Sequence, residues 1–323
     1  MIKAKSKTSN LLCSIVIPIY AESSHFAQSF KTINQVVESI QIPYEFVIVD
    51  DGSPDHTWDV VQTLAKHYPS VIKAVRLSRN FGKEYALCAG LEIARGDILV
   101  VMDGDLQHPP ELISTMVNIW WDSDVDIVEA IKMSRGQESF IGKIGAKLFY
   151  EISNYLSGYN LKGQSDYKLL DRKVVNAWLQ MGERNLFFRG MTAWLGFKRV
   201  TIPFEVPPRI GGKSGWSTFK LVKLAITGIT AFSSWPLHLI SISGCMFLIF
   251  ALILGIQALL LKFTGGAVDG FTTVIILILI TGSLLMISLG IIGLYIAKIY
   301  EEVKGRPRYI ISDRIDVEHI YDK

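Results

Sequence analysis

The chain has 323 residues, a formal net charge of +3 and a hydrophobic content of 50%. Its mean hydropathy of +0.32 is too high for an ordinary soluble protein of this length, and the small net charge gives no reason to expect a nucleic-acid partner. Residues 235–298 are nearly free of charge, whereas residues 1–230 have the mixed composition of a globular domain, so composition predicts a soluble domain followed by a membrane part.

Residues 11–105 alternate between short β-branched runs and helical patterns. The basic tail 1–10 precedes them and lacks the apolar core of a signal peptide. Strands are predicted at 13–22, 44–53, 71–78 and 97–105, and helices at 23–40, 57–68 and 82–96. This alternation predicts βαβ units, so the expected fold class is α/β, with a mostly parallel, Rossmann-like sheet in a domain that spans 11–216.

Amphipathic and apolar segments follow the predicted strands. Residues 140–156 place apolar side chains on one helical face, a pattern that suits a helix at a membrane surface and an ordinary core-facing helix equally. Residues 217–234 predict a second interfacial helix. The runs 235–261 and 271–297 each exceed the roughly 20 residues that a helix needs to cross the hydrocarbon core, so two transmembrane helices are predicted.

The short link 262–270 makes the two predicted spans a hairpin, which places both ends of the chain on one side of the membrane. Six basic residues flank the hairpin on that side: Lys220, Lys223, Lys298, Lys304, Arg306 and Arg308. By the positive-inside rule, the N-terminal domain and the tail 298–323 are predicted to be cytoplasmic. The cysteines are isolated in sequence, which predicts neither a disulfide framework nor a metal site.

Three of the predicted strands end in polar groups. These are Pro18, Tyr20 and Glu22 after the first strand, Asp50 and Asp51 after the second, and Asp103 and Asp105 after the fourth. Because ligands bind beyond the carboxyl ends of parallel strands, these groups are expected to converge on one crevice. The Gly-Lys-Ser of residues 212–214 lacks the glycine spacing of a phosphate-binding loop, so a P-loop is not predicted.

Asp103 and Asp105 stand one residue apart with no neighbouring base in sequence. Taken alone, such a pair is more often a solvated turn. The alternative is a site for Mg²⁺ or Mn²⁺, which take oxygen ligands from one or two carboxylates together with substrate phosphates.

Further stretches favour the metal interpretation. They are "VDDGS", "RNFGKEYALCAGL", "DGDLQHPPE", "DYKLLDRKVV", "ERNLFFRGMTAWLGF" and "LAITGITAFSSWPL". In these stretches the chain resembles the family 2 glycosyltransferases of the GT-A fold, a nucleotide-sugar-binding fold. Within that family it resembles the polyprenyl-phosphate glycosyltransferases, the group of the bactoprenol glucosyltransferases and dolichol-phosphate mannose synthase. The resemblance covers almost the whole chain, including both predicted spans.

The resemblance implies roles for individual residues. Nucleotide-sugar contacts are implied for Pro18, Tyr20, Glu22, Asp50, Asp51 and Lys83. Catalytic positions are implied for Asp103, Asp105, Gln107 and Asp166, with Asp105 as the stronger metal ligand and Asp103 as the second. Contacts to a lipid phosphate are implied for Arg135, Arg189, Arg209 and Lys213.

Two of these assignments stay open. Asp166 is interpreted as a residue that orients the sugar and only second as a general base, because a lipid phosphate is already anionic and needs little activation. The alternative is an acid at the start of a helix over 167–175. In "RIGGKSGW", Gly215 stands where relatives commonly carry lysine, so Lys213 is assigned from a shifted loop.

Aromatic residues near the acids are weaker candidates. His108 stands beside the acid pair, but Pro109 follows it directly and is expected to turn it away, so a metal-binding role is not predicted. Trp120 and Trp121 are expected to pack in the domain rather than to bind a sugar.

The resulting hypothesis is an inverting transfer of a hexose, glucose from UDP-glucose, to undecaprenyl (polyprenyl) phosphate at the cytoplasmic face of a bacterial-type inner membrane. One alternative keeps the fold with GDP-mannose, UDP-GlcNAc or an aminoarabinose nucleotide as donor. Another is a non-catalytic lipid-binding scaffold or flippase, which the small number of spans and their lack of charge disfavour. Small residues in the spans permit close helix packing and predict a homo-oligomer of undetermined size.

Overall fold

The computed structural model describes residues 11–133, 164–184, 186–205, 235–264 and 270–316. It divides into two units, one of residues 1–217 with 306–323 and the other of residues 218–305. Several predicted features lie outside the described residues: the tail 1–10, the amphipathic segment 140–156, the interfacial segment 217–234, Arg135, Arg209 and Lys213.

Within the described ranges, one eight-stranded sheet forms the larger unit. Its strands are β1 (Cys13–Ile19), β2 (Tyr44–Asp50), β3 (Ile72–Leu77), β4 (Ile98–Val101), β5 (Ile127–Lys132), β6 (Gln164–Asp171), β7 (Arg199–Phe204) and β8 (Ile311–Ile315). The strand order is β7-β5-β6-β4-β1-β2-β3-β8. Four of the pairings are parallel, and β6 and β8 supply the three antiparallel ones. The predicted mostly parallel α/β sheet is confirmed.

Helices connect the strands of the sheet. They are α1 (Phe26–Glu38), α2 (Thr57–His67), α3 (Lys83–Ile93), α4 (Leu112–Asp122), α5 (Arg172–Gln180) and α6 (Phe188–Trp194). In α1, the predicted apolar face is buried at Phe26, Phe30, Ile33 and Val37. Trp120 of α4 is also buried, and its indole N–H donates to Asp171 at 3.1 Å, which agrees with the expected packing role.

Strand β1 is buried along its whole length and β2 at every residue after Tyr44, because helices cover both faces of a parallel sheet. Proline has no backbone N–H to donate to a neighbouring strand. Pro18 is tolerated in β1 because its nitrogen faces the β4 side, where the pairing of β1 with β4 ends at Val16. Helix α3 packs closely on this centre: a Cβ added to Gly90 would lie 2.4 Å from Cγ1 of Val16. This contact sets the position of α3, whose first residue is Lys83.

The structure contains strands β5 and β7 and helices α4 and α6, for which no prediction was made, and it contradicts the predicted elements at two places. Residues 164–171 form strand β6, and the helix begins only at Arg172, with the Asp171 side chain accepting from the N–H of Lys173. The alternative of Asp166 as an acid at a helix start is therefore wrong. The second departure is β8, which lies in the predicted tail 298–323 and pairs antiparallel with β3.

The smaller unit contains two long apolar helices, α7 (Trp235–Phe263) and α8 (Phe271–Val303). Within them, Leu237–Gln257 and Leu277–Val303 are candidate membrane spans by length and composition, with mean hydropathies of 2.6 and 2.4. Neither span is buried inside the protein, which argues against a pair of soluble core helices. Both helices lie where the sequence predicted the spans, and α8 continues beyond residue 297 to Val303.

Candidate active site

The acid pair lies in the turn that follows β4. The N–H of Met102 still bonds to the carbonyl of Val16, so the strand leads directly into the acids. The N–H of Gln107 donates to a carboxylate oxygen of Asp105 at 3.1 Å, which orients that side chain. Asp103 and Asp105 are both partly exposed, as ligand-binding carboxylates must be.

Glu22, in the loop after β1, reaches the same turn. A Cβ added to Gly104 would lie 2.8 Å from a carboxylate oxygen of Glu22, so the Glu22 side chain packs closely against the turn that carries the acid pair. The loop after β1 is also tied to the loop after β2, because the N–H of Ala21 donates to the Ser53 hydroxyl at 2.9 Å. Tyr20 lies beside these contacts with its side chain 45% exposed. The ends of β1, β2 and β4 therefore meet at one edge of the sheet.

Lys83 links the turn after β4 to strand β6. Its ammonium group lies 2.6 Å from Asp103 and 2.8 Å from Asp166. Arg189, from α6, donates to both carboxylate oxygens of Asp166, at 2.7 Å and 3.0 Å. Acids and cations thus alternate across the site, in the order Asp103, Lys83, Asp166 and Arg189.

This alternation controls the protonation of Asp166. Burial alone would raise its pKa, but Lys83 and Arg189 hold the pKa well below its usual range. The pKa of Asp103 is also lowered, although burial alone would raise it, chiefly because of the charge of Lys83. For Lys83, burial acts to lower the pKa, and the two carboxylates raise it above the usual value. All three groups are therefore charged at neutral pH.

Asp51 positions the start of α3 and with it Lys83. Its two carboxylate oxygens accept the N–H groups of Phe81 and Gly82, at 2.8 Å and 2.9 Å. Gly52 follows with φ of +64°, and a Cβ there would lie 2.3 Å from the backbone of Arg79. The turn after β2 and the loop before α3 can approach this closely only because residue 52 is glycine.

Asp50 differs from the other predicted site residues, because it has no exposed surface. It accepts from the N–H of Ser53 at 3.0 Å and from its hydroxyl at 2.5 Å, and Arg76 lies 3.4 Å away. Asp50 stabilises the turn after β2 and acts on the crevice only through that turn.

Two further residues at the site, Glu84 and Lys132, escaped the sequence analysis, and the expectation that His108 turns away from the acids is wrong. Glu84 follows Lys83 and accepts the N–H of Phe188 at 2.7 Å, which joins α3 to the start of α6. Lys132 ends β5, and burial together with the nearby Arg189 lowers its pKa. His108 turns back to Asp103 instead of away from it: the Asp103 N–H donates to its Nδ1 at 3.0 Å. A signal for Lys132 was its position at a strand end, but the contacts of Glu84 and His108 are not readable from sequence.

The residues near the acid pair fit a divalent cation that is shared with a substrate. In the described parts of the chain, no group of three or more His, Cys, Asp and Glu side chains is arranged to hold a metal ion. Two carboxylates at a partly exposed turn match the sites in which Mg²⁺ is completed by phosphate oxygens and water. Asp105 and Asp103 are the residues that would hold the ion.

Comparisons with known proteins agree with this architecture. A family model described as glycosyl transferase family 2 matches residues 14–177. An uncharacterized glycosyltransferase of Synechocystis is 38% identical over 95% of this chain and 96% of that protein. A prophage bactoprenol glucosyl transferase homolog of Escherichia coli is 35% identical, covering 93% of this chain and 98% of the relative. The bactoprenol glucosyl transferase of Shigella phage SfII is 34% identical, covering 93% and 97%.

Proposed function

The chain belongs to glycosyl transferase family 2, and on this premise we propose that it moves a hexosyl group from a nucleoside diphosphate sugar to a polyprenyl phosphate. UDP-glucose is the proposed donor and undecaprenyl phosphate the proposed acceptor. The observation that carries the proposal is the alternation of acids and cations at the ends of β4 and β6. Relatives named for bactoprenol glucosyl transfer support the choice of sugar and lipid.

The donor is proposed to bind across the ends of β1, β2 and β4. Tyr20, Glu22 and the turn held by Asp51 would contact the nucleoside, because they line the edge beside the acid pair. A divalent cation, Mg²⁺ or Mn²⁺, held by Asp105 and Asp103, would neutralise the diphosphate and stabilise it as a leaving group. Gln107 lies in the same turn and is proposed to contact the sugar.

Asp166 is proposed to orient the sugar through its hydroxyl groups. It is a weak base because Lys83 and Arg189 keep its pKa low, and this favours the orienting role over general base catalysis. The lipid phosphate is already anionic, so its oxygen attacks the anomeric carbon directly while the bond from that carbon to the nucleoside diphosphate breaks. A single displacement inverts the configuration, and an α-linked donor gives a β-linked lipid phosphate.

The acceptor phosphate requires cations on the side of the sugar opposite the leaving group. Arg189, at the start of α6, and Lys132, at the end of β5, are proposed to provide them, and burial together with the charge of Arg189 lowers the pKa of Lys132. A bound phosphate would relieve the repulsion between the two cations, and the planar fork of arginine suits phosphate oxygens. Arg135, Arg209 and Lys213 remain proposed contacts to the same phosphate.

The chain connectivity supports a membrane hairpin with both of its ends on one side. The sheet domain that precedes the hairpin and the strand β8 that follows α8 belong to the same folded unit, and β8 pairs with β3 inside the sheet. A single sheet cannot form across a bilayer, so this pairing supports helices that return to the side from which they start. The basic residues around the hairpin favour the cytoplasm as that side.

Transfer of labelled glucose into lipid tests the proposal. The full-length protein in nanodiscs that contain undecaprenyl phosphate is given UDP-[¹⁴C]glucose and Mn²⁺, and the label is extracted into organic solvent. We expect a labelled lipid, and we expect Asp105→Asn to lower its rate by about 100-fold or more. The matched control is Asp59→Asn, on the exposed face of α2, which should transfer at the parent rate.

A panel of donors distinguishes the alternatives. GDP-mannose, UDP-GlcNAc and an aminoarabinose nucleotide replace UDP-glucose in the same assay, and the donor with the highest kcat/KM identifies the sugar. A protein that binds UDP but transfers no sugar from any donor would contradict the enzymatic proposal and favour a lipid-binding scaffold. Full activity of the Asp105→Asn variant would contradict the metal role.

A further inference from the structure

His108 lies in a closely packed aromatic cluster behind the acid pair. Its side chain is only 3% exposed, and its ring stacks on the ring of Tyr167 at 4.9 Å and 14°. Phe204 packs edge-on against both rings, at 6.0 Å and 6.1 Å. The hydroxyl of Tyr167 donates to the carbonyl of Pro109 at 2.8 Å, which holds the backbone just after His108. The imidazole ring therefore has one orientation.

Both ring nitrogens of His108 face Asp103. Nδ1 accepts the backbone N–H of Asp103 at 3.0 Å, so in the neutral ring the proton is on Nε2. Nε2 lies 3.9 Å from a carboxylate oxygen of the same residue. Burial lowers the pKa of His108, which agrees with a neutral ring. The ring thus holds the backbone of Asp103 and sets the tautomer that faces its side chain.

We infer that His108 is a positioning residue for Asp103, which it holds through the backbone hydrogen bond across the turn. The turn also contains a residue in an unfavourable backbone conformation, because Leu106 has φ of +59°. Without the bond to Nδ1, Asp103 would sample orientations that do not suit the metal and the donor. The inference rests on the proposed function, since it names what keeps that site in its working geometry.

A direct role for His108 in the reaction does not fit the geometry. The ring packs against both Tyr167 and Phe204, and the accepting nitrogen is already occupied by the Asp103 N–H. A metal ligand would need that lone pair. A merely packing role makes a different prediction, because a phenyl ring would fill the same space and preserve the aromatic stack.

Two variants separate positioning from packing. His108→Phe keeps an aromatic ring and removes the acceptor, whereas His108→Asn places an amide oxygen near the Nδ1 position and removes the ring. We expect transfer to fall about 10- to 100-fold in His108→Phe, with a raised Mn²⁺ requirement, and to be largely retained in His108→Asn. If packing alone matters, His108→Phe should retain sugar transfer and His108→Asn should lose it. That result would overturn the inference.

Hydrogen exchange provides a readout that is independent of sugar transfer. Mass spectrometry of the full-length protein follows the amides of residues 103–107 in the absence of any ligand. We expect exchange there to be about tenfold faster in His108→Phe than in the parent, and close to the parent rate in His108→Asn. Equal exchange in the parent and in His108→Phe would overturn the inference. Failure of sugar transfer in all three proteins, with the expected exchange pattern, would reject the proposed function alone.

Discussion

At the scale of single residues, Glu84 makes the stability of the larger unit depend on pH. Burial, with the nearby charge of Asp166, raises its pKa to about 7. An unfolded glutamate ionises near pH 4.3, so between about pH 4.5 and 7 the unfolded chain gives up this proton more readily than the folded one. The contribution of Glu84 to the free energy of unfolding is therefore largest below that window, and it falls as pH rises through it.

The variant Glu84→Gln removes this dependence and keeps an acceptor for the Phe188 N–H. We expect it to gain stability over the parent as pH rises from 4.5 to 7, by on the order of 2 kcal/mol at the upper end. Melting temperatures in detergent across this range provide the measurement. The control is Glu111→Gln, on the surface at the start of α4. A parent and a Glu84→Gln variant with parallel profiles would contradict the assignment.

At the scale of secondary-structure elements, a buried ion pair supports the helix that carries Arg189. Lys168 of β6 and Glu129 of β5 are opposite each other in the sheet, 3.0 Å apart, and each is about 1% exposed. Lys168 also donates to the Thr192 hydroxyl of α6 at 2.8 Å. Asp166 and Lys168 are two residues apart and so share one face of β6, which places this pair beneath the site.

Removing one member of the pair leaves a buried charge without its counterion. Lys168→Met should therefore cost about 3–5 kcal/mol of unfolding free energy. The double variant Lys168→Met/Glu129→Leu removes both charges and should recover most of the loss. Urea unfolding of the three proteins provides the comparison. A single variant as stable as the parent, or a double variant no more stable than the single one, would argue against this role.

At the scale of the whole molecule, the segment after α8 is an integral part of the sheet unit. Tyr309 donates to Glu92 of α3 at 2.5 Å, and Arg308 bonds to the Met181 carbonyl. Strand β8 covers the edge of β3, which would otherwise expose unpaired backbone groups. The sheet unit thus contains segments from both sides of the helical hairpin in the sequence.

Truncation tests this dependence. A chain that ends at Gly305 loses β8 together with the contacts on α3, the helix that begins with Lys83. We expect sugar transfer to fall by more than about tenfold and the melting temperature of the sheet unit to drop. The control ends at Asp316, keeps β8, and should match the full chain in both measurements. Equal stability of the two truncated proteins would contradict the role of β8.

Much of the fold was predictable because it depends on local patterns. The strands β1 to β4 and the helices between them follow β-branched runs and apolar spacing, and the predicted bounds differ from the observed ones by only a few residues. Strand β6 was missed because 166–175 contains few β-branched residues, and its pairing with β4 and β5 overrides that composition. Strand β8 was missed because a five-residue edge strand has no periodic signature of its own.

The α/β class, the two apolar helices and the acid pair at the end of β4 could be inferred before any coordinates, because each depends on neighbouring residues. The cations that meet those acids could be identified only from the folded chain. Lys83, Asp166 and Arg189 come from three elements, and their contacts span 83 and 23 positions along the chain. Sheet order and helix packing produce these distances, and no local pattern encodes them. The same holds for His108, whose orientation toward Asp103 depends on rings supplied by β6 and β7.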